Sequence, residues 1–174
     1  MSSTVRIIAA AVVVMGGGYI GLLFSSRLAV RVSQIEQILR ALLQIEFNIS
    51  FLKMPITRAL SAAACGNRGA VGRIFSETAE QIKELNISPS VAFERAVLGN
   101  RNSLCILKED MEIVSEFTKN LGKGDVESEI NNIKAACAKL KLAKERAECE
   151  LAQRGKLWRG MGMLGGIFLV ILLF

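Results

Sequence analysis

Gln34–Leu52 reads QIEQILRALLQIEFNISFL. Its apolar residues Ile35, Ile38, Leu42, Ile45, Ile49 and Leu52 are spaced 3, 4, 3, 4, 3, which puts them on a seam one helix wide. Gln34, Glu36, Gln37, Arg40 and Gln44 fall off that seam. The pattern predicts an amphipathic helix over about 28–53. Met54-Pro55 ends it, because a residue before proline resists the α region, and Pro55 can open the next helix.

Working toward the C-terminus, the same reading gives helices throughout. An Ala-rich segment covers 55–64, followed by a turn at Gly66, Asn67 and Gly69 and a helix over 70–85. Ser88 suits an N-cap and Pro89 the first helical position of a short helix over 89–98, which closes at Gly99-Asn100. A fifth helix over 103–121 carries Leu104, Leu107, Met111, Val114, Phe117 and Leu121 along one side, and Gly122 and Gly124 close it. Asp125 caps the last helix, 126–155, whose seam is Val126, Ile130, Ile133, Cys137, Leu140, Ala147 and Leu151, with Lys144 interrupting. Lys and Glu dominate its other faces, so it is predicted to project from the bundle or to act as a stalk, with a kink at Gly155. Alternating β-branched runs are missing, and the fold class is all-α. Pro55 and Pro89 each open a short helix followed by a longer one, 34 residues apart. A duplicated unit and a coincidence of two proline starts both fit that spacing.

Working toward the ends, hydrophobicity rises. Residues 7–26, IIAAAVVVMGGGYIGLLFSS, carry no charge. About 20 apolar residues are what a helical span requires. The stretch lacks the shorter apolar region and the A-x-A site of a cleaved signal peptide, and a buried core helix would have to be apolar all round. Residues 160–174, GMGMLGGIFLVILLF, form a shorter run that Leu157 and Trp158 extend if Arg159 snorkels. The predicted organisation is a tail at 1–6, a span at 7–26, a helical bundle at 27–156 and a span at 157–174. Only Arg6 of the 22 basic residues precedes the first span. The remaining 21 and all 16 acidic residues follow it, so the middle carries 21 − 16 = +5. Positive flanks mark the cytoplasmic side, with Arg27, Arg31 and Arg40 after the first span and Arg154, Lys156 and Arg159 before the second. Arg27, Arg154, Lys156, Trp158 and Arg159 are the predicted anchors at the membrane edge, the bundle faces the cytoplasm, and both termini lie outside.

Composition narrows the chemistry. The 174 residues include no histidine, which removes His-based triads and His metal sites. The four cysteines, Cys65, Cys105, Cys137 and Cys149, form no CxxC pair and read as small apolar residues of a reducing compartment. Cys137 lies on the seam of its helix, and Cys149 lies about 120° around it, so the two cannot pair. A pI of 9.4 invites a nucleic-acid reading. Charges of both signs are mixed, however, and the one Trp sits at the membrane edge, so no nucleic acid is expected. The glycines lack the GxxxxGK[ST] pattern of a phosphate loop. Gly17 with Gly21, and Gly162 with Gly166, fit close packing of membrane helices, although glycine is common in such helices anyway. Glu109, Glu112 and Glu116 lie opposite the seam of the fifth helix, with Asp110 nearer its edge. A solvated face is the simpler reading, and a docking face for a basic partner surface is the other. No catalytic, cofactor-binding or metal-binding residue is assigned, and no small-molecule substrate is expected.

The order of elements carries a resemblance. Leu157-Trp158-Arg159-Gly160-Met161-Gly162-Met163-Leu164-Gly165-Gly166 with the apolar run to Leu173 resembles the terminal signature of the stage III sporulation protein AB family. So do Phe117-Thr118-Lys119-Asn120-Leu121-Gly122-Lys123-Gly124-Asp125, with its Leu-Gly turn before an acidic helix start, and Gln34-Ile35 with Leu39-Arg40-Ala41-Leu42. Lys123-Gly124 stands where that family more usually has one polar residue, and Trp158 where it has Tyr. The resemblance implies a six-helix cytoplasmic bundle similar to that of the type II secretion and type IV pilus platform protein. It further implies a non-enzymatic platform subunit of a sporulation channel, placed in the mother-cell-side membrane around the forespore. Its partners would be the system's cytoplasmic ATPase and other membrane subunits. A membrane-anchored regulatory module binding one soluble partner is the alternative.

Overall fold

The computed structural model describes residues 3–67 and 69–173, with side chains for 26–67 and 69–153. It is an all-α helical bundle. The helices are α1 (Ser3–Ser50), α2 (Ile56–Cys65), α3 (Ala70–Leu85), α4 (Pro89–Gly99), α5 (Lys108–Asn120) and α6 (Val126–Leu173), with a 3-10 turn at Arg101–Ser103 before α5. The chain divides into two compact units, one comprising Arg31–Glu145 and the other the chain up to Val30 and from Arg146 onward. Among the described residues no helix is long and apolar enough to cross a membrane. Residues 7–25 of the first predicted span and all of 157–174 lie outside those described with side chains, as do the kink expected at Gly155 and the anchors Arg154, Lys156, Trp158 and Arg159.

The seam read from Gln34–Leu52 is the wall of the Arg31–Glu145 core. Ile35, Leu42 and Ile45 are fully buried, and Ile38 and Ile49 nearly so. Leu52 is exposed instead, because α1 stops at Ser50 and Lys53 takes a left-handed φ of 50°. The Met54 amide then donates to the Asn48 carbonyl at 3.0 Å, which turns the chain before Leu52 can complete the seam. Pro55 (φ −57°) sits one position before α2, whose first backbone bond runs from the Ala59 amide to the Pro55 carbonyl. α2 packs against α3, and Ala59, Ala63 and Ala64 of the one and Ala70, Val71, Ile74 and Phe75 of the other are buried. The approach is close enough that a side chain on Gly72 would run into the Asn67 carbonyl. Phe75 stacks obliquely on Phe93 of α4 with ring centroids 6.5 Å apart. Ser88 and Pro89 occupy the N-cap and first position of α4 as predicted, although the Ser88 hydroxyl makes no capping bond.

Two helices differ from their sequence reading. The segment predicted to start α5 at 103 is a 3-10 turn followed by extended backbone, with Leu104 at φ −97°, ψ 131°. Leu104 is therefore only half-buried and Leu107 is exposed, while Val114, Phe117 and Leu121 hold the core. In α6, Ile133, Cys137, Leu140 and Ala147 are buried as predicted, and Val126 is exposed. Ala136 and Ala143 complete the stripe on one side, and Lys144 sits beside it, half-buried. Up to Glu145, α6 thus packs as a core helix and does not project from the bundle.

Candidate interaction surfaces

No group of three or more Cys, Asp and Glu residues that could hold a metal occurs among the described residues. What the fold arranges instead are two polar clamps, one groove and several exposed faces.

The first clamp joins α1 to the start of α5. Arg31 donates through Nε and Nη2 to the two carboxylate oxygens of Asp110, at 2.9 and 3.2 Å, and both side chains are more than nine-tenths buried. Asp110 also accepts a longer bond, 3.4 Å, from the Leu107 amide. One turn along α1, the Gln34 side chain donates to the Ser103 carbonyl at 2.9 Å and accepts from the Cys105 amide at 2.8 Å. One glutamine thereby satisfies both polarities of an extended segment that has no sheet neighbour. The sequence counts Arg31 among the basic residues that follow the first span, and the structure adds a partner that the count did not foresee. Arg31 is an interior ion-pair partner, whereas Arg27 is exposed. The one hint was Asp110 at the seam's edge, where a carboxylate needs a buried cation.

The second clamp fixes the turn between α5 and α6. Glu129 is buried, and its Oε1 accepts from the Gly122 amide at 2.7 Å and, at 3.5 Å, from that of Gly124. Gly122 has φ 82°, a left-handed conformation that glycine adopts without strain. Asp125 caps α6 as predicted, its Oδ1 accepting from the Ser128 amide at 3.1 Å. Hydrogen bonds from the Ser128 side chain and backbone hold the Asp125 carboxyl below its ordinary pKa. Glu129 escaped the sequence reading because its period places it next to the seam, where an acid looks like surface.

Glu109, Glu112 and Glu116 are all exposed, as their spacing implied. Glu112 lies 3.9 Å from Lys108, and Glu116 is ion-paired to Lys139 of α6 at 2.6 Å. Beside them, Phe93, Val97 and Leu98 of α4 face Met111 and Ser115 of α5 across a mainly apolar groove with Glu94, Lys108 and Glu112 at its rim. Asn100 locks the end of α4 to α3. It accepts from Arg73 Nε at 3.0 Å and donates to Glu77 and to the Ala96 carbonyl, each at 2.9 Å.

The cysteines carry no paired chemistry. Burial pushes the Cys137 thiol up to about 11, with Glu46 adding to the rise and Lys141 opposing it, so it stays protonated. Cys65 and Cys149 are exposed and Cys105 is half-buried. The packing glycines Gly17, Gly21, Gly162 and Gly166 lie outside the residues described with side chains.

Comparison with known proteins adds a lineage to this geometry. A curated relative from Bacillus subtilis (strain 168), stage III sporulation protein AB, is 28% identical over 143 residues, covering 82% of this chain and 84% of that protein. A solved structure of stage III sporulation protein AB superposes with a TM-score of 0.62 at 27% identity, covering 68% of this chain and 93% of the other. The family model for stage III sporulation protein AB matches residues 6–174, so the chain belongs to that family.

Proposed function

We propose that this protein is a non-enzymatic membrane platform subunit of a secretion-like sporulation channel. In this reading two terminal spans hold the helical bundle at the cytoplasmic face of the mother-cell-side membrane around the forespore. The bundle passes the work of a cytoplasmic ATPase to the other membrane subunits. Family membership over residues 6–174 is the observation that carries the reading. The element layout supports it. α1 and α6 are each 48 residues long, about 72 Å at 1.5 Å per residue, enough for a hydrocarbon core of about 30 Å with length to spare. Their outer stretches contain the uncharged segment 7–26 and residues 160–173 of the terminal apolar run. Exposed Arg27 suits the inner membrane edge. The exposed carboxylates Glu109, Glu112 and Glu116 offer a docking face for a basic partner, and Gly17, Gly21, Gly162 and Gly166 offer close contacts between spans.

Purification of the full-length chain from membranes of sporulating cells tests the reading. The expected result is retention in the membrane pellet after carbonate washing, with the channel ATPase and further membrane subunits co-purifying. Recovery from the soluble fraction, or as a one-to-one complex with a soluble regulator, overturns it.

A further inference from the structure

We infer that residues 101–107 form a strap that opens without unfolding the bundle, released when Gln34 of α1 lets go. The strap runs from the 3-10 turn Arg101–Ser103 through extended backbone to Leu107. Both of its ends are pinned. Asn100, just before it, is buried and bonded to Arg73, Glu77 and the Ala96 carbonyl. Asp110, just after it, is buried and paired with Arg31. Between these anchors, among the described residues, the hydrogen bonds that reach the strap from another helix are the two made by Gln34. That one side chain donates to the Ser103 carbonyl at 2.9 Å and accepts from the Cys105 amide at 2.8 Å, so both bonds are lost together when it turns away.

Packing beneath the strap is incomplete. A void of about 10 Å³ lies there, with Leu104 and Ile106 of the strap over Ile74, Phe75, Phe93 and Met111. Its lining side chains are all apolar, so water gains no bond by entering. Side chains that face a void lack contact partners on that side. Leu104, Cys105 and Ile106 are only half-buried, whereas Ile74 and Phe75 below them belong to the core. Lifting the strap therefore costs two neutral hydrogen bonds, which water replaces, and part of the contact of three side chains. A segment held so lightly opens at far lower cost than the fold as a whole. Phe93 and Met111 line both the void and the α4–α5 groove, so an open strap bares apolar surface that adjoins the groove. Gln34 stands one turn from Arg31 on α1, the helix that the platform reading runs from the first span. The inference rests on that reading only for what moves Gln34: a shift of α1 unclasps the strap and widens the groove beside Glu112.

The test is thiol labelling of the purified full-length chain in mild detergent, with each cysteine scored by mass spectrometry. Cys105 lies in mid-strap, Cys137 in the core, and Cys65 and Cys149 on the surface. The expected order of rates is Cys65 and Cys149 first, Cys105 next and Cys137 last. Low urea leaves the Cys105 rate flat and raises that of Cys137 steeply, because a strap exposes far less surface on opening than a bundle does on unfolding. Gln34→Leu, which leaves both strap partners unbonded, speeds Cys105 roughly ten-fold. Glu129→Ala, which weakens a turn that the open form retains, speeds Cys137 and leaves Cys105 at the parent rate. Where Gln34→Leu fails to fold, Gln34→Glu, which keeps the acceptor for Cys105 and loses the donor to Ser103, gives a smaller rise. Cys105 rates that match Cys137, climb with urea or respond to Glu129→Ala show a strap that opens only with the whole bundle, and overturn the proposal. So does indifference of Cys105 to both Gln34 variants, or labelling as fast as that of Cys65. Recovery of the chain from the soluble fraction with this pattern intact sinks the platform reading alone. Failure of the pattern in a chain that co-purifies with the ATPase sinks the strap alone.

Discussion

Arg31 and Asp110 are the charged pair on which the bundle most depends. Each is buried, and each is unaffordable alone, since an interior charge without its partner loses solvation and gains nothing. Asp110→Ala is expected to destabilise the Arg31–Glu145 unit by about 3–5 kcal/mol in urea titrations. Replacing both, as Arg31→Met with Asp110→Leu, should be close to neutral or stabilising, because the desolvation cost leaves with the charges. Cys137 makes a separate prediction. The folded thiol titrates near 11 and the unfolded one near 9.0, so at pH 8 a thiol reagent should label Cys65 and Cys149 quickly and Cys137 only after unfolding. The folded chain binds the extra proton, so Cys137's contribution to stability is whole below pH 9 and is lost as pH rises toward 11.

At the scale of elements, the helices were legible wherever one periodic stripe governed a segment. α3 occupies 70–85 as its Gly start and Asn stop implied, and α1 and α4 end within about three residues of their sequence reading. The reading failed where a tertiary bond overrode the period. Leu104 and Leu107 extend the α5 pattern backwards, but Gln34, 69 and 71 residues away from its partners, holds that backbone extended. Nothing local announces such a long-range amide. Ala143 displaced Lys144 from the α6 core because small residues carry a weak hydropathy signal. The acidic stripe of α5 was legible as exposed surface, whereas exposed Phe47 of α1 was hidden among residues that look like core. Two element-level predictions follow from the turns. Glu129→Ala should cost about 1–3 kcal/mol and speed hydrogen exchange at the Gly122 and Gly124 amides, while Glu129→Gln keeps an acceptor oxygen and loses less. Gly72→Ala should cost about 1–3 kcal/mol in thermal or urea melts, because the Asn67 carbonyl must shift to admit the methyl group.

For the whole molecule, the wiring order matters as much as the packing. Contacts between α2 and α3, α3 and α4, and α4 and α5 join neighbours in sequence. The bonds from Glu36 to Lys144 and from Glu46 to Lys134 join the first helix to the last. On a ribosome, residues 56–120 can pair locally as they emerge, and α5 reaches the opening helix 69–79 residues on, but the pairing of first helix with last is complete only when 108 further residues have been added, as the Glu36–Lys144 separation shows. At bacterial-scale elongation of about 5–20 residues per second, that is a wait of about 5–20 s with the seam only partly covered. The newborn chain therefore needs an escort, or early delivery to its final setting, for longer than a protein of this size with adjacent partners would.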